Sequence, residues 1–228
     1  MMRFMLMISI LCLTSNCVLA DSFSWKFTPD GWKPQEWLLV KSPRWAHFGN
    51  WVQKGEYIQN EVPAEASPTE WQGKRAPETY TSMVYAKPFA GDAKISVRLD
   101  FTPRMAPIIV IAPELGKDAS GRLEYREHFE ICVYDEGVNF WHHVYNDGKP
   151  SWSKAAYAKF ALKPEIQYTL EVQIKGKQII ASIDGHEIGY LEPSLPAKYY
   201  LGITGCEGLN RFYSISIDGK PAQAEPAP

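Results

Sequence analysis

The segment from Arg122 to Asp147 contains side chains whose types suit acid–base chemistry and ring stacking. It carries Glu130 and His143, a carboxylate and an imidazole that can exchange a proton near neutral pH when they are in contact. Trp141 lies two residues before the histidine, and an indole ring can stack on the apolar face of a ligand whose polar groups are bound by its neighbours. Candidate catalytic and binding residues therefore share one short segment.

A β-hairpin would bring these residues together. With Glu136-Gly137 as a two-residue turn, alternation gives one mostly apolar face and pairs Glu130 with His143 on the other. Directly opposed residues have Cβ atoms about 4.5 to 5.5 Å apart, so the two side chains would touch. The candidate substrate-binding residues of that face and of the following loop are His128, Tyr134, Trp141, Tyr145 and Trp152. Rings, a carboxylate and an imidazole on one open face favour a carbohydrate partner.

Glu130 and His143 have two interpretations at this stage. In the catalytic one they form an acid–base pair, and Arg98 stabilises the developing negative charge if its strand neighbours the hairpin. In the structural one they are a cross-strand contact of an ordinary sheet, worth about 0.2 to 1 kcal/mol. The residue pattern is compatible with both.

Metal binding is left open by the sequence. His142 and His143 are adjacent in a strand, so they point to opposite faces and cannot share an ion. Only His128, Glu130 and His143 could converge on one. No cofactor is predicted, although a structural calcium ion is the alternative to ordinary turn chemistry at three acidic turns. Those turns are Asp118, Asp135-Glu136 and Asn146-Asp147.

Several enzyme classes have no support in the sequence. It contains no glycine-rich phosphate loop, no His-Glu-x-x-His and no Gly-x-Ser-x-Gly motif. Glycoside hydrolysis commonly needs two carboxylates within about 5 to 9.5 Å. Glu124 and Glu130 are about 20 Å apart along a strand, and Glu171 approaches Glu130 only if the strand order permits.

Composition and the N-terminus place the chain among exported folded proteins. The 228 residues are 45% hydrophobic and 22% charged, and the net charge of −2 offers no basic surface for nucleic acid. Residues 1–20 carry Arg3 and then the apolar run from Phe4 to Leu13, which predicts a cleaved signal peptide and a periplasmic or extracellular protein. The run is shorter than the roughly 20 residues of a transmembrane helix. Lipid attachment at Cys17 is the alternative. The exported domain keeps Cys132 and Cys206, predicted as two separate buried thiols, with one disulfide between them as the alternative if their Cα atoms lie within about 7 Å.

Period-two alternation of apolar and polar residues dominates the chain and predicts strands. It is clear from Ile95 to Phe101, while Ile108 to Ile111 is a continuous apolar run typical of a central strand. Leu170 to Ile174 and Ile179 to Ile183 predict a hairpin with all apolar residues on one face, and Gly176-Lys177 is its turn.

The remaining elements extend this pattern to an all-β domain of residues 21–218. The segment from Ser153 to Lys163 is predicted to be extended, and the Pro/Ala-rich end from Gly219 to Pro228 is predicted to be disordered. Further strands are predicted at Thr79–Tyr85, Glu187–Leu191, Tyr199–Thr204 and Tyr213–Ile217. Many short strands with almost no helix favour a jelly-roll sandwich of two antiparallel sheets.

Four segments carry a family resemblance. Leu201 to Tyr213 resembles the closing strands of concanavalin A-like lectin/glucanase domains of secreted bacterial proteins. Phe129 to Asp135 is similar to the Glu-containing strand of their 3-keto-disaccharide hydrolase subfamily, Tyr168 to Ile188 to its following hairpin, and Trp51 to Ile58 to its opening strands. The resemblance implies a concanavalin A-like jelly roll and a carbohydrate-active role. The chain lacks the Glu-x-Asp-x-x-Glu motif of laminarinase-like glucanases, so that activity is not carried over.

Three classes of function remain open on this basis. The first is a domain that binds a glycan on the concave face of a curved sheet, and the second is a sugar-cleaving enzyme of the 3-keto-glycoside lyase or hydrolase type. The third is a structural or adhesive domain that binds a protein partner. A recessed polar pocket around Glu130 and His143 would favour the enzyme, whereas a flat aromatic platform would favour the binder.

Overall fold

The computed structural model describes residues 21–45, 47–62, 80–102, 106–146, 148–206 and 208–223. The predicted signal peptide with Cys17, the end of the chain from residue 224, and Thr79 and Asp147 lie outside these ranges. Within them, one turn of 3₁₀ helix covers Pro34–Glu36, and no helix is long and apolar enough to span a membrane. The strands are β1 (Asp21–Lys26), β2 (Trp37–Leu39), β3 (Trp51–Lys54), β4 (Tyr57–Asn60), β5 (Thr81–Tyr85), β6 (Phe89–Phe101), β7 (Ala106–Ala112), β8 (Leu115–Lys117), β9 (Leu123–Tyr125), β10 (His128–Tyr134), β11 (Gly137–Asn146), β12 (Lys149–Lys159), β13 (Tyr168–Lys175), β14 (Gln178–Ile183), β15 (His186–Leu191), β16 (Lys198–Cys206) and β17 (Asn210–Pro221).

These strands form two antiparallel sheets and one small ribbon. Sheet A has the order β15-β14-β13-β6-β17-β4-β3, with β1 also paired to β17. Sheet B has the order β12-β11-β10-β7-β16-β5-β2. Strand β16 joins them, because Lys198 and Tyr199 pair with β6 while the rest of the strand pairs with β7. β8 and β9 form the ribbon. The predicted all-β sandwich is confirmed.

Alternation along the strands builds the core between the sheets. In β6 the fully buried Ile95, Val97 and Leu99 alternate with more exposed polar residues, as the pattern predicts. The predicted hairpin forms as β13 and β14, with Ile174 opposite Ile179. The apolar faces of both sheets meet in one buried cluster.

Part of the outer face of sheet B is apolar as well. Ile109 and Ile111 of β7 enter the core between the sheets, whereas Ile108 and Val110 join a second buried cluster on the other side. Tyr125 belongs to this second cluster and comes from the β9 segment that lies over the sheet. Strand β7 is therefore covered on both faces, as its continuous apolar run predicts.

The β10–β11 hairpin forms, but the predicted register is wrong by two residues. The turn is Asp135-Glu136, and Gly137 is already the first residue of β11, opposite Tyr134. A Cβ on Gly137 would overlap the carbonyl oxygen of Ala158 in β12, so this glycine permits close approach of the next strand. A two-residue shift leaves every side chain on its predicted face, because the strand period is two.

Two other segments differ in how far the prediction holds. The stretch from Ser153 is extended, as predicted, and lies in β12 up to Lys159. At the C-terminus, β17 continues to Pro221, so the first three residues of the predicted disordered tail belong to a strand. Gly219, Lys220 and Pro221 are ordered by pairing with Ala93, Ala90 and Phe89 of β6, respectively.

The contact between β16 and β5 gives a stability test. A Cβ on Gly202 would overlap the backbone of Met83, whereas a Cβ on Gly189 in β15 meets nothing within 4 Å. We expect Gly202→Ala to lower the free energy of unfolding by about 1 to 3 kcal/mol or more, because the backbones must separate. Gly189→Ala should change it little. Urea unfolding of both variants measures this, and equal stabilities would contradict the packing.

Candidate functional site

Three buried polar side chains meet on the outer face of sheet B. His128 and Glu130 are two residues apart in β10, so they share a face, and His143 of β11 lies directly opposite His128. His143 Nε2 is 3.0 Å from Glu130 Oε2, and His128 Nε2 is 3.5 Å from Glu130 Oε1. The predicted Glu130–His143 contact thus exists, although it is diagonal rather than directly cross-strand.

Neighbouring groups fix the orientation of this cluster. The hydroxyl of Tyr80 donates to Glu130 Oε1 at 2.6 Å. His128 Nδ1 lies 3.2 Å from the backbone carbonyl oxygen of Arg126, so that ring nitrogen is the donor and Nε2 faces Glu130. The ring of His128 is stacked between those of Tyr125 and His143, at centroid distances of 4.5 and 4.4 Å.

The electrostatics of the cluster keep its carboxylate charged. Burial alone would raise the pKa of Glu130, but the adjacent His143 and His128 outweigh it and hold that pKa well below its usual value. Burial lowers the pKa of His128. Burial, followed by the charge of Glu130, raises the pKa of Tyr80 well above its usual value. At neutral pH the phenol is therefore a donor and the carboxylate an acceptor.

A pocket of about 170 Å³ opens above Glu130. Its buried lining includes Glu130, Tyr80 and the two thiols, and its half-buried lining provides rings, an amide and a guanidinium. The full lining is Arg44, Trp45, Tyr80, Ala106, Ile108, Glu130, Cys132, Tyr134, Asn139, Trp141 and Cys206. Such a combination of rings and convergent polar groups is typical of small-molecule sites.

Four of the predicted residues occupy the cluster or the pocket with Glu130, and two lie beside them. His128 and His143 form the cluster, while Tyr134 and Trp141 line the pocket. Tyr145 and Trp152 share the same face but do not line the pocket: the guanidinium of Arg126 lies 4.6 Å from the Tyr145 ring, and that of Arg44 lies 4.0 Å from the Trp152 ring.

The prediction for Arg98 is wrong. Its strand, β6, lies in sheet A between β13 and β17, so the condition that it neighbour the hairpin is not met. Arg98 is exposed, and its guanidinium lies 5.2 Å from the ring of Tyr213. Glu171 is in the same sheet and pairs with Lys94 at 3.5 Å, so it does not approach Glu130 either.

The sequence did not reveal Arg44, Trp45, Tyr80 or Asn139 as site residues. Tyr80 lies 50 positions before Glu130 in the chain, and a local sequence pattern cannot indicate a contact between residues so far apart in sequence. Alternation along β11 places Asn139 on the face of the hairpin that carries Glu130. It lies opposite Cys132 in the hairpin, and this position brings it to the pocket.

The two cysteines are separate buried thiols that form no disulfide with each other, as predicted. Cys132 lies in β10 and Cys206 in β16, with β7 between them. Strands two positions apart are separated by about 9.5 Å, which exceeds the roughly 7 Å reach of a disulfide between Cα atoms. The pocket is therefore lined by thiols that cannot bridge each other.

His142 points away from this site, as the alternation of β11 requires. Its Nε2 lies 2.8 Å from Glu127 Oε1, and its Nδ1 lies 3.7 Å from Glu192 Oε2. Its ring stacks on Phe129 at 4.4 Å. The adjacent histidines thus serve different groups on opposite faces of the sheet.

The residues at the predicted acidic turns have contacts that explain their positions. The carboxylate of Asp118 accepts backbone N–H groups of Ser120 and Arg122 at 2.8 and 3.0 Å. Asp135-Glu136 forms the hairpin turn. Calcium prefers six to eight oxygen ligands, so the cluster of one carboxylate and two imidazoles does not fit that ion.

Comparisons with known proteins support the fold. No family profile and no curated protein matches the chain. Among solved structures, a carbohydrate-binding module, CBM66 from Bacillus subtilis, has a TM-score of 0.56 at 12% identity and covers 81% of this chain and 96% of that one. The exoplasmic/lumenal domain of VIP36 with Ca²⁺ and Man3GlcNAc has a TM-score of 0.55 at 14% identity and covers 90% of each chain. LamAcat from Zobellia galactanivorans has a TM-score of 0.56 at 12% identity and covers 88% and 97%.

The fold is a concanavalin A-like jelly roll. The jelly-roll architecture that the sequence resemblance implies is confirmed by the likeness to these structures. At identities of 12 to 14%, the likeness concerns the arrangement of the strands, and the functional residues of this chain must be argued from its own site.

The low pKa of Glu130 predicts how stability depends on pH. Its unfolded value is about 4.3, so the ionised carboxylate stabilises the fold above that pH, and this contribution is lost as pH falls towards the folded value. We expect Glu130→Gln to reduce the dependence of unfolding free energy on pH between about 5 and 3. Glu171→Gln, on the outer face of sheet A, serves as the control. Urea unfolding at several pH values measures the slope, and a wild-type slope in Glu130→Gln would contradict the assignment.

Proposed function

We propose that this protein is an exported carbohydrate-active domain that binds a saccharide in the pocket on the outer face of sheet B. The observation that carries the proposal is a buried, ionised carboxylate at the base of a pocket whose walls include Trp45 and Trp141. The carboxylate accepts hydroxyl donors, and the indoles offer faces for the apolar side of a pyranose.

Polar groups of three kinds converge with these rings. Arg44 supplies donors, while Asn139 and Tyr134 can both donate and accept, which matches the alternating character of sugar hydroxyls. The volume of about 170 Å³ is below that of a typical drug-sized site and favours one sugar unit or a chain end. Solved structures with this fold include a carbohydrate-binding module and a mannoside-bound lumenal domain, which supports the same class of ligand.

Cations hold the aromatic residues near the pocket. The guanidinium of Arg44 lies 4.8 Å from the ring of Trp45 and 4.0 Å from that of Trp152. The ammonium of Lys154 lies 5.6 Å from the ring of Trp141. Such contacts restrict the rings before a ligand arrives, which lowers the entropic cost of binding.

Replacing Trp141 tests the binding function. We expect Trp141→Ala to abolish saccharide binding and to change the melting temperature little, because the ring is only half-buried. Tyr57→Ala, a half-buried aromatic in sheet A, is the control and should bind normally. A glycan array followed by calorimetry on any ligand found measures this. No saccharide ligand for the wild type, or full binding by Trp141→Ala, would contradict the proposal.

A second candidate function is sugar cleavage by acid–base chemistry, favoured by the contact between Glu130 and His143 at 3.0 Å. Proton abstraction beside the carbonyl of a 3-keto-glycoside needs one base and one group that stabilises negative charge. Arg44 lines the pocket and can take the second role, which the sequence assigned to Arg98. Among the described residues lining the pocket, Glu130 is the only carboxylate, so a two-carboxylate hydrolysis is not supported.

Turnover of 3-keto-glycosides decides whether the pair is catalytic. We expect Glu130→Gln and His143→Ala to lose about 10²- to 10⁴-fold in rate, since a positioned acid–base group typically supplies that factor. Arg98→Ala should retain the wild-type rate, because this residue lies in the other sheet. Product formation by each variant is measured by chromatography. Equal rates in all four proteins, or no turnover by the wild type, would remove this candidate.

A further inference from the structure

We infer that His128, Glu130 and His143 form a binding site for one Zn²⁺ ion. One ligand atom from each residue lies within 4.8 Å of the others. All three side chains are at least nine-tenths buried, with residue exposures of 1%, 6% and 5% in that order.

The sheet creates this convergence. His128 and Glu130 are two residues apart in β10, so they project from one face of the sheet. His143 lies opposite His128 in β11 and projects from the same face. Three ligands therefore come from two hydrogen-bonded strands. Such a site is held by backbone pairing, not by a mobile loop.

Two ring nitrogens at the centre of the cluster lack hydrogen-bond partners among the described residues. Neither His128 Nε2 nor His143 Nε2 makes a hydrogen bond of acceptable geometry in the described part of the chain, although oxygens of Glu130 lie 3.5 and 3.0 Å away. Since Nδ1 of His128 donates to the carbonyl of Arg126, Nε2 of the neutral ring presents a lone pair to the carboxylate. Buried acceptors facing one another are costly, and a cation coordinated by all of them removes that cost.

The donor set selects zinc over calcium. Two imidazoles and one carboxylate are a ligand set used by Zn²⁺, whereas calcium prefers oxygen ligands alone. In tetrahedral coordination two nitrogens about 2.05 Å from Zn²⁺ lie about 3.4 Å apart. The ligand atoms here lie within 4.8 Å of one another, so binding requires side-chain rotations that close the widest separation by at most about 1.4 Å.

The surrounding groups have the roles expected of partners to metal ligands. The Arg126 carbonyl fixes the tautomer of His128, and the Tyr80 hydroxyl orients Glu130 by donating to its Oε1. An ion at this point lies at the base of the pocket, because Glu130 lines it. Metal ligation and the acid–base role are thus competing assignments of Glu130 and His143.

Calorimetric titration of ZnCl₂ into the chelator-treated protein tests the site. We expect one Zn²⁺ per chain, no comparable binding of Ca²⁺, and loss of binding in Glu130→Gln and His143→Ala. Tyr80→Phe keeps all three ligands and should weaken binding about 10- to 100-fold. His186→Ala, an exposed histidine of β15, is the matched control and should bind like the wild type.

Circular dichroism of every variant establishes that it folds. If His143→Ala does not fold, Tyr80→Phe and the rise in melting temperature of the wild type with Zn²⁺ provide the readouts. Absence of stoichiometric binding by the wild type would overturn the inference, as would binding that survives in Glu130→Gln or is lost in His186→Ala. The titration contains no saccharide, so its outcome is independent of whether the pocket binds a sugar.

Discussion

The burial of the Glu130 carboxylate is the interaction on which the site depends. An isolated charge is costly to remove from water, and here the Tyr80 hydroxyl donates to the carboxylate while His128 and His143 surround it. These groups come from the residue before β5, from β10 and from β11. The strand order of sheet B and the segments that cover its outer face must therefore be in place before the charge can be buried.

Cover over the outer face of sheet B makes that burial possible. Tyr125, from the ribbon strand β9, belongs to the same buried cluster as Val110 and stacks on His128. Its hydroxyl also lies 2.6 Å from Ser82 Oγ, which is 2.6 Å from Thr204 Oγ1. This chain of hydroxyls satisfies polar groups beneath the ribbon, so water is excluded from one side of the carboxylate while the pocket opens on the other.

Local periodicity was enough to predict the faces of the strands but not their neighbours. The two-residue error in the β10–β11 register left Glu130, Trp141 and His143 on the right face, because alternation repeats every two residues. Glycine is typical of turns, so Gly137 is predicted in the turn, but it lies in β11, where the absence of a Cβ permits the close approach of β12. Alternation does not show which strands are neighbours, so the sequence predicts Arg98 in the site although its strand lies in sheet A. For the same reason it does not predict Tyr80, which contacts Glu130 from 50 positions away in the chain.

The charge state of Glu130 bears on which function the site performs. A general base works best when its pKa lies near the working pH, because it must both hold and release a proton. The pKa of Glu130 is held well below its usual value by the two imidazoles, so this carboxylate is a weak proton acceptor. The same property makes it a good acceptor for hydroxyl donors and a permanent anionic ligand for a cation. The electrostatics therefore favour binding, of a sugar hydroxyl or of a metal ion, over proton transfer at this residue.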